Sequence, residues 1–540
     1  MYSRAGTRSL SARRALGGVA ALAMVAAIGH SNPASATDRV VIAWDPPTAE
    51  SNLFWDRVAD RYPGMQGLVG QDALTGAYDD SGLARAWEAS EDFTEWTFYL
   101  HEDAEFHFDW GPVTAADVIH SYELHTGPDS RLTNINLLLA ESVEAVDDHT
   151  VVFRFDEPRT DYAFYHAARG SMEVYSKAQY EAEGIEGYHR RPAGTGPYQF
   201  VERRMGEGVL WERVPDHWQG VEPDFAELQI RWVAEPATKL AMLLTGEAHI
   251  VDLPRELQAQ ALEQGMAIVG STQPGMITGA IFNGLYQRSG DEAYNPGLPW
   301  TDIRVREAMN RALDRDAMID VLYEGRATKV PNWLMDPRNE GYVPELAERF
   351  EGMYGYDPGR AKELLAEAGY PDAFDQPTVT IVASVLAGNP EFGTMAELLQ
   401  VYFEEIGMQT EIREMDWPTL GALGRAREAY VISPIRNMPI RSTEVGLATF
   451  MTTEGTPYGG YESDTIQSLT DELRRTIDPD ERQRIAAEAF TYLFENYADM
   501  PLAAADLEVM VNPEVVADWP FPAATSTGQS HWHLIKAAEQ

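Results

Sequence analysis

After residue 36, the chain of 540 residues shows no internal repeat and no low-complexity linker. This constrains the fold, because a chain of this length is too long for one hydrophobic core and is expected to divide into two or three lobes. Without a linker, the connections between lobes have to be ordinary strands that pass from one lobe to the next. The sequence therefore predicts a protein of several lobes joined by crossing strands.

Strand and helix patterns alternate irregularly along the chain, which predicts a mixed α/β fold. The runs 38–43, 95–100 and 150–155 are β-branched or alternate between apolar and polar residues, and we expect them to be strands. Two helix starts are well marked, since Asp357-Pro358 and Asp478-Pro479 each place an N-cap aspartate before a proline at the first helical position.

The first 36 residues have the pattern of an export signal. A basic start precedes an apolar run, 16–28, that is too short to span a bilayer. Ala34-Ser35-Ala36 is a small-residue cleavage site, so the mature chain is expected to begin at Thr37. Arg13-Arg14 resembles a twin-arginine signal, which leaves the Tat and Sec routes both open.

The chain contains no cysteine, which excludes disulfides, thiolate nucleophiles and zinc–thiolate sites. It also excludes a lipid-modified N-terminal cysteine. A protein that is exported without an anchor and without a lipid has to be retained by an outer membrane. We therefore expect a periplasmic location.

The net charge of −43 argues against two classes of partner. Nucleic acids and anionic membrane surfaces are both bound through Lys and Arg, which are outnumbered here by 85 acids to 42 cations. The acids are spread along the chain and indicate a solvated surface, because whole-surface charge is screened beyond about 8–10 Å at physiological salt.

Residues typical of catalysis or of cofactor binding are not found in a recognisable arrangement. Gly194-Thr195-Gly196 is followed by Pro197, which favours a tight turn over a phosphate-binding loop. His531 and His533 lie on one face of an extended segment, but no third ligand is near them in sequence, so they are expected to be surface or packing histidines. We predict no catalytic residue, no metal site and no cofactor.

Five groups of residues, in order between 38 and 510, form a series that is more specific than any single motif. They are Leu83-Ala84-Arg85-Ala86-Trp87-Glu88 with Trp96-Thr97-Phe98, Phe106-His107 and Thr114-Ala115-Ala116-Asp117-Val118; Gly194-Thr195-Gly196-Pro197-Tyr198; Asp302-Ile303-Arg304-Val305-Arg306-Glu307-Ala308; Tyr356-Asp357-Pro358 with Ala368-Gly369-Tyr370-Pro371; and Asp478-Pro479-Asp480-Glu481-Arg482 with Met500-Pro501-Leu502. The series resembles that of ABC-transporter solute-binding proteins of family 5, the dipeptide-, oligopeptide- and nickel-binding type.

The resemblance implies an α/β fold of the periplasmic binding protein type II kind, with two ligand-clamping lobes, an inserted third lobe and hinge closure. A ligand would be held between lobes I and III. The chain is expected to cross between those lobes near Phe282-Asn283 and near Met500-Pro501. The implied division is a signal peptide over 1–36, lobe I over 37–75, 193–279 and 500–540, an inserted lobe II over 76–192, and lobe III over 280–499.

The chain departs from the resemblance where peptide-binding members hold the ligand's α-amino group with an aspartate. The corresponding segment, 433–441, contains no aspartate and two arginines, Arg436 and Arg441. Because guanidinium groups match carboxylates and phosphates, an anionic or hydroxyl-rich ligand is expected. The alternative is that both arginines pair with surface acids. The candidate ligand-binding residues are Trp44, Asn283, Trp333, Trp417, Arg436, Asn437 and Arg441.

The leading functional hypothesis is a monomeric periplasmic protein that delivers a peptide-like, anionic or hydroxylated small solute to the permease subunits of an ABC importer. A sensory or chaperone-like binding protein would have the same sequence features. A nickel-binding role exists within the family. A periplasmic hydrolase is a further alternative, and it would need two acids at catalytic spacing in a cleft.

Overall fold

The computed structural model describes residues 38–47, 50–52, 59–128, 130, 138–167, 172–374, 377–384, 391–437, 441–453, 460–521 and 530–539. The predicted signal peptide lies outside these residues, whereas Ala36–Gln540 forms a single unit. Within the described ranges, no helix is both long enough and apolar enough to cross a membrane.

Strands and helices alternate along the chain, which confirms the predicted α/β class. The strands are β1 (Arg39–Trp44), β2 (Gly70–Gln71), β3 (Tyr78–Asp79), β4 (Ala84–Ala89), β5 (Glu95–Leu100), β6 (Ser142–Asp147), β7 (Thr150–Arg154), β8 (Tyr198–Arg204), β9 (Gly208–Arg213), β10 (Glu227–Trp232), β11 (Ile250–Val251), β12 (Ala267–Gly270), β13 (Met276–Phe282), β14 (Leu285–Tyr286), β15 (Ala327–Lys329), β16 (Val379–Ala383), β17 (Thr410–Glu414), β18 (Ile432–Asn437), β19 (Tyr461–Glu462), β20 (Asp499–Ala505), β21 (Glu508–Val511), β22 (Val516–Asp518) and β23 (Lys536–Ala537). The helices are α1 (Ala115–Thr126), α2 (Ala163–His166), α3 (Lys177–Arg190), α4 (Pro236–Thr245), α5 (Arg255–Glu263), α6 (Ile303–Arg311), α7 (Arg315–Tyr323), α8 (Pro344–Tyr354), α9 (Pro358–Glu367), α10 (Phe392–Glu405), α11 (Trp417–Arg425), α12 (Thr443–Phe450), α13 (Asp464–Arg475) and α14 (Pro479–Glu495).

The local sequence signals place these elements well. Strand β5 has the predicted bounds, β1 begins and ends one residue later than its predicted run, and β7 ends one residue earlier than predicted. Helices α9 and α14 begin at the predicted prolines, because Asp357 accepts a hydrogen bond from the Arg360 backbone N–H at 2.8 Å and Asp478 accepts one from the Glu481 backbone N–H at 3.0 Å.

A seven-stranded sheet with the order β12-β21-β11-β1-β10-β9-β8 combines residues from the beginning, the middle and the end of the chain. Strand β1 is parallel to β10 and to β11, so all three strands end at the same edge of this sheet. Trp44 pairs with Trp232 at that edge.

A six-stranded sheet with the order β15-β20-β13-β18-β16-β17 forms the second large layer. Strands β16, β17 and β18 are parallel to one another, and β13 lies antiparallel between β18 and β20. All seven residues of β13 are buried, as expected for a central strand covered on both faces.

The two crossings between these sheets are short. The chain passes from β12 to β13 through residues 271–275 and returns from β20 to β21 through residues 506–507. The expected crossing points, Phe282-Asn283 and Met500-Pro501, instead fall at the end of β13 and inside β20. The buried hydrophobic run of β13 already begins at Met276, directly after the turn-forming Pro274-Gly275, so the change of sheet precedes the sequence markers.

An antiparallel four-stranded sheet, β4-β5-β7-β6, lies in the segment between β1 and β8 and has its own hydrophobic core with α1. Val445 and Ala448 of α12 are part of this core. The inserted segment therefore packs directly against a helix that follows β18.

Candidate functional site

The two large sheets present the carboxyl ends of parallel strands at the crossings. In the seven-stranded sheet, β1, β10 and β11 end there, beside Glu508, which pairs with Gly270 at the start of β21. In the six-stranded sheet, β18 ends at Asn437, which pairs with Ile277 at the start of β13. In open α/β sheets, ligands bind in the crevice outside such carboxyl ends. This edge is the candidate site.

The crossings are tied to each other by hydrogen bonds. The Ser271 N–H donates to the Leu507 carbonyl oxygen at 2.9 Å, and the Leu507 N–H donates to Ser271 Oγ at 3.0 Å. Arg255 of α5 donates to the Asp506 carbonyl oxygen at 2.7 Å and to Glu508 Oε1 at 2.9 Å. The two connections therefore form one compact region between the sheets, which we call the hinge.

A cavity of about 30 Å³ lies at this hinge and is lined from both sheets. The seven-stranded side contributes Trp44 and Asp252 from the ends of β1 and β11, and the six-stranded side contributes Glu391, just before α10. The polar and aromatic lining consists of Trp44, Asp252, Arg255, Gln258, Glu391, Asp506, Glu508 and Phe521.

A buried ion-pair triad supports this lining from the side of the seven-stranded sheet. Lys239 Nζ donates to Asp45 Oδ1 and to Asp252 Oδ1, each at 2.7 Å, and all three residues are buried. Burial raises the pKa of Asp252 to about 7, and the negative charge of Asp45 adds to this effect. Burial opposes the charge on Lys239, but the two carboxylates outweigh it and raise the lysine pKa.

The acids on the other side of the cavity are also perturbed. Burial raises the pKa of Glu391 to about 7, although the positive charge of Arg255 opposes the shift. Burial and the charge of Glu508 raise the pKa of Asp506. Arg326 shares Glu508 with Arg255, at 3.1 Å from Glu508 Oε2. The lining of the cavity is therefore strongly polar and contains several interacting charged groups.

Trp44 is the predicted ligand-binding residue that lies directly at this cavity. It is 1% exposed and packs edge-on against Trp532, with ring centroids 6.2 Å apart. Its indole Nε1 is buried without a hydrogen-bond partner among the described residues. Trp532 in turn stacks on Trp519, so the end of the chain supports the tryptophan from behind.

Arg436, Asn437 and Arg441 lie at the carboxyl end of β18, on the same edge as the cavity. Arg436 is half-buried and is paired in register with Thr278, whose Oγ1 lies 2.9 Å from the Tyr323 hydroxyl. Arg441 donates to Asn437 Oδ1 at 3.1 Å. Arg441 and Asn437 are therefore in contact, whereas the side chain of Arg436 leaves the strand on the opposite face from that of Asn437. Residues 438–440 lie outside the described ranges.

The other predicted residues are not at the cavity. Asn283 lies at the opposite end of the six-stranded sheet, where its Nδ2 donates to Ser433 Oγ at 2.6 Å. Trp333 is 0% exposed and packs edge-on against Phe450 at 4.8 Å. Trp417 begins α11 after the carboxyl end of β17, half-buried against a small apolar cluster.

Asp252, Lys239, Arg255 and Glu391 were not expected from the sequence. The chain has 85 acids, so no single one stands out by composition. A usable signal exists only for Asp252, which directly follows the apolar pair Ile250–Val251 at a strand end.

The residues that could indicate phosphate or metal binding have hydrogen-bond partners within the protein. The Gly64 carbonyl oxygen accepts the N–H groups of both Thr195 and Gly196 at 3.0 Å, so these donors do not form a phosphate cradle. His531 Nε2 is 2.7 Å from the Gln71 carbonyl oxygen, and its ring is 6.1 Å from that of His533. Across the described ranges, no group of three or more His, Cys, Asp or Glu side chains is placed to hold a metal ion.

Comparison with known proteins agrees with this architecture. The family model of the bacterial extracellular solute-binding proteins, family 5 Middle, matches residues 80–439. Heme-binding protein A of Haemophilus influenzae is 29% identical over 363 residues, which are 63% of this chain and 62% of that protein, less than two thirds of its length. Glutathione-binding protein GsiB of Salmonella typhimurium is 25% identical over 529 residues, 93% of this chain and 96% of that protein.

Among solved structures, the ABC transporter-associated periplasmic binding protein DppA from Helicobacter pylori, in complex with the peptide STSA, has a TM-score of 0.76. The identity is 21%, and the match covers 93% of this chain and 98% of that chain. This likeness shows the fold, which is the periplasmic binding protein type II fold that the sequence predicted.

Proposed function

Because the chain belongs to the bacterial extracellular solute-binding proteins of family 5, we propose that it captures a small solute at the hinge and delivers it to the permease of an ABC importer. The observation that carries this proposal is the cavity that both large sheets line at their carboxyl edges. A site shared by two lobes closes when the lobes approach each other, and closure is the signal that a membrane partner can recognise.

We propose three lobes that follow the three larger sheets. The seven-stranded sheet forms lobe I, the four-stranded sheet forms the inserted lobe II, and the six-stranded sheet forms lobe III. The residues that move between lobes I and III are those of the crossings, 271–275 and 506–507. Short crossings tied by Ser271 and Leu507 favour a rotation of rigid lobes over a local rearrangement.

The protein is proposed to act in the periplasm as a monomer, after cleavage at Ala36 and export by the Tat or the Sec route. It is proposed to bind its solute without converting it. The family model that matches the chain is that of solute-binding proteins. Among the cavity acids, Asp252 pairs with Lys239, and Glu508 pairs with Arg255 and Arg326.

The solute is proposed to carry an anionic or hydroxylated group that faces the end of β18. Relatives are named for heme, glutathione and dipeptides, so the family accepts varied small solutes. In this chain, the segment 433–441 supplies Arg436 and Arg441 and no aspartate. A guanidinium fork binds a carboxylate through two parallel hydrogen bonds, which favours a solute with a carboxylate end.

Calorimetric titration of the refolded, ligand-stripped protein tests the ligand class. Carboxylate-bearing solutes are expected to bind, and Arg436→Ala is expected to weaken that binding by at least about tenfold, or ~1.4 kcal/mol. Arg413→Ala is the matched control, because Arg413 is an exposed arginine of the same sheet and pairs with Glu411. Tight binding of a plain dipeptide that is unchanged in Arg436→Ala would contradict the proposed ligand class.

A further inference from the structure

The cavity at the hinge carries more acids than cations. Four acids and one arginine line it, and the ion-pair partners of the lining do not restore the balance. With those partners, the acids are Asp45, Asp252, Glu391, Asp506 and Glu508, and the cations are Lys239, Arg255 and Arg326. Five carboxyl groups therefore lie at or near the cavity with three cations. Burial raises the pKa of Asp252 and of Glu391 to about 7, so a cation that enters the cavity favours their ionised forms.

One oxygen of this lining is buried and has no donor. Asp252 is 4% exposed, and its Oδ1 accepts from Lys239 Nζ at 2.7 Å. Its second oxygen, Oδ2, has no hydrogen-bond partner among the described residues. A buried carboxylate oxygen without a donor costs free energy, which a ligand N–H group recovers when it binds.

Two aromatic rings complete the surroundings. Trp44 and Phe521 both line the cavity, and Trp44 is 1% exposed. An ammonium group beside an aromatic ring is attracted by the negative face of the ring, and the attraction grows when water is excluded. Carboxylates and aromatic rings around one small space are the surroundings that an organic cation prefers.

We propose that this cavity takes the primary ammonium group of the transported solute, with Asp252 as its principal acceptor. The proposal rests on the proposed solute-binding function and specifies the solute class. Together with a carboxylate at Arg436, it defines the solute as a zwitterion whose amine is held by the hinge. The amine is then recognised in lobe I, rather than by an aspartate of the segment 433–441.

The unpartnered oxygen of Asp252 narrows the class of cation. A primary ammonium group has three N–H donors for this oxygen, whereas a trimethylammonium group has none. A divalent metal ion is disfavoured, since no group of three or more metal-ligating side chains occurs in the described part of the chain. The selective ligand is therefore a primary amine.

The test uses sets of solutes that differ only at one end. Ligand-stripped protein is titrated by calorimetry with 4-aminobutanoate, 4-hydroxybutanoate and 4-trimethylammoniobutanoate, and with glycylglycine against glycolylglycine. The primary amine of each set is expected to bind at least tenfold more tightly than its partners. Asp252→Asn is expected to remove that preference, so that the amine and hydroxyl partners bind with similar affinity.

Two further variants keep the outcome decisive. Glu391→Gln removes a second acid of the cavity and is expected to weaken amine binding, should Asp252→Asn fail to fold. Glu514→Gln removes an exposed acid that does not line the cavity and is expected to bind as the wild type does.

The results separate the inference from the function on which it rests. Equal binding of amine and hydroxyl partners, wild-type amine binding by Asp252→Asn, or no binding of any primary amine would overturn the inference. Binding of other solutes under those outcomes leaves the proposed function intact. Failure of every solute, including those of a periplasmic extract, would overturn the proposed function as well.

Discussion

At the scale of single residues, the buried carboxylates differ in how they are satisfied. Asp252 has an oxygen without a hydrogen-bond partner among the described residues and lines the cavity. Asp499 is 1% exposed and accepts a hydrogen bond from Asn332 Nδ2 at 2.7 Å. Burial raises the pKa of Asp499 to about 8, although the positive charge of Arg315 opposes the shift. Asp499 therefore holds a proton at neutral pH and acts as a structural group.

This makes a pH-dependent prediction for Asp499→Asn. The folded-state pKa of about 8 lies above the ordinary aspartate value of 3.8, so the folded state binds the proton more tightly than the unfolded state does. The aspartate then stabilises the fold most at low pH, and this contribution is lost as the pH rises from about 4 to about 8. Asparagine resembles the protonated acid and does not titrate. The variant is expected to gain stability relative to the wild type by about 1 kcal/mol per pH unit.

Urea unfolding at pH 5, 6, 7 and 8 measures this gain. Asp320→Asn provides the control, because Asp320 is exposed, and its stability is expected to run parallel to that of the wild type. Parallel curves for Asp499→Asn as well would show that Asp499 is charged in the folded protein.

At the scale of elements, the β8–β9 hairpin depends on a glycine. Gly208 has φ of +144°, and a Cβ at this position would lie 2.0 Å from the Ile230 carbonyl oxygen in β10. Gly206, in the same hairpin, has φ of +77°, but nothing lies within 4 Å of its Cβ position. Substitution of these two glycines therefore distinguishes the free-energy cost of backbone strain alone from the cost of strain together with a steric clash.

We predict that Gly208→Ala destabilises the protein by at least about 3 kcal/mol, since strain and the clash with β10 act together. Gly206→Ala is the matched control and is expected to cost about 1–2 kcal/mol, from backbone strain alone. Thermal unfolding of both variants measures the difference. Equal losses would mean that β10 shifts to accommodate the added methyl group.

The elements also show which part of the structure can be predicted from sequence. Helix starts such as Asp357 and Asp478 depend on hydrogen bonds within three residues, so their local pattern is sufficient. The site depends on contacts between distant residues. Lys239 and Asp45 are 194 positions apart in the sequence, and no local sequence pattern indicates that they form an ion pair. Trp44 is a candidate from sequence because aromatic faces cover apolar or sugar-like surfaces of a ligand. Asn283 is also a candidate, but it lies at the opposite end of the six-stranded sheet.

At the scale of the whole molecule, the inserted segment and the six-stranded region are in direct contact. Thr160 Oγ1 donates to Glu444 Oε2 at 2.9 Å, and Arg475 lies 3.3 Å from Glu157 Oε1. The proposed lobe II therefore touches the proposed lobe III as well as lobe I. A closing motion of lobe III has to form or preserve these contacts, which couples all three lobes to the state of the hinge.

The most direct measurement is small-angle X-ray scattering of the ligand-stripped mature protein, with and without a solute that calorimetry shows to bind. If the protein is a hinge-closing binding protein, the radius of gyration falls when the solute is added, and mass spectrometry recovers the solute unchanged. A radius of gyration that stays the same at saturating solute, or a solute that is converted to a product, would contradict the proposed function.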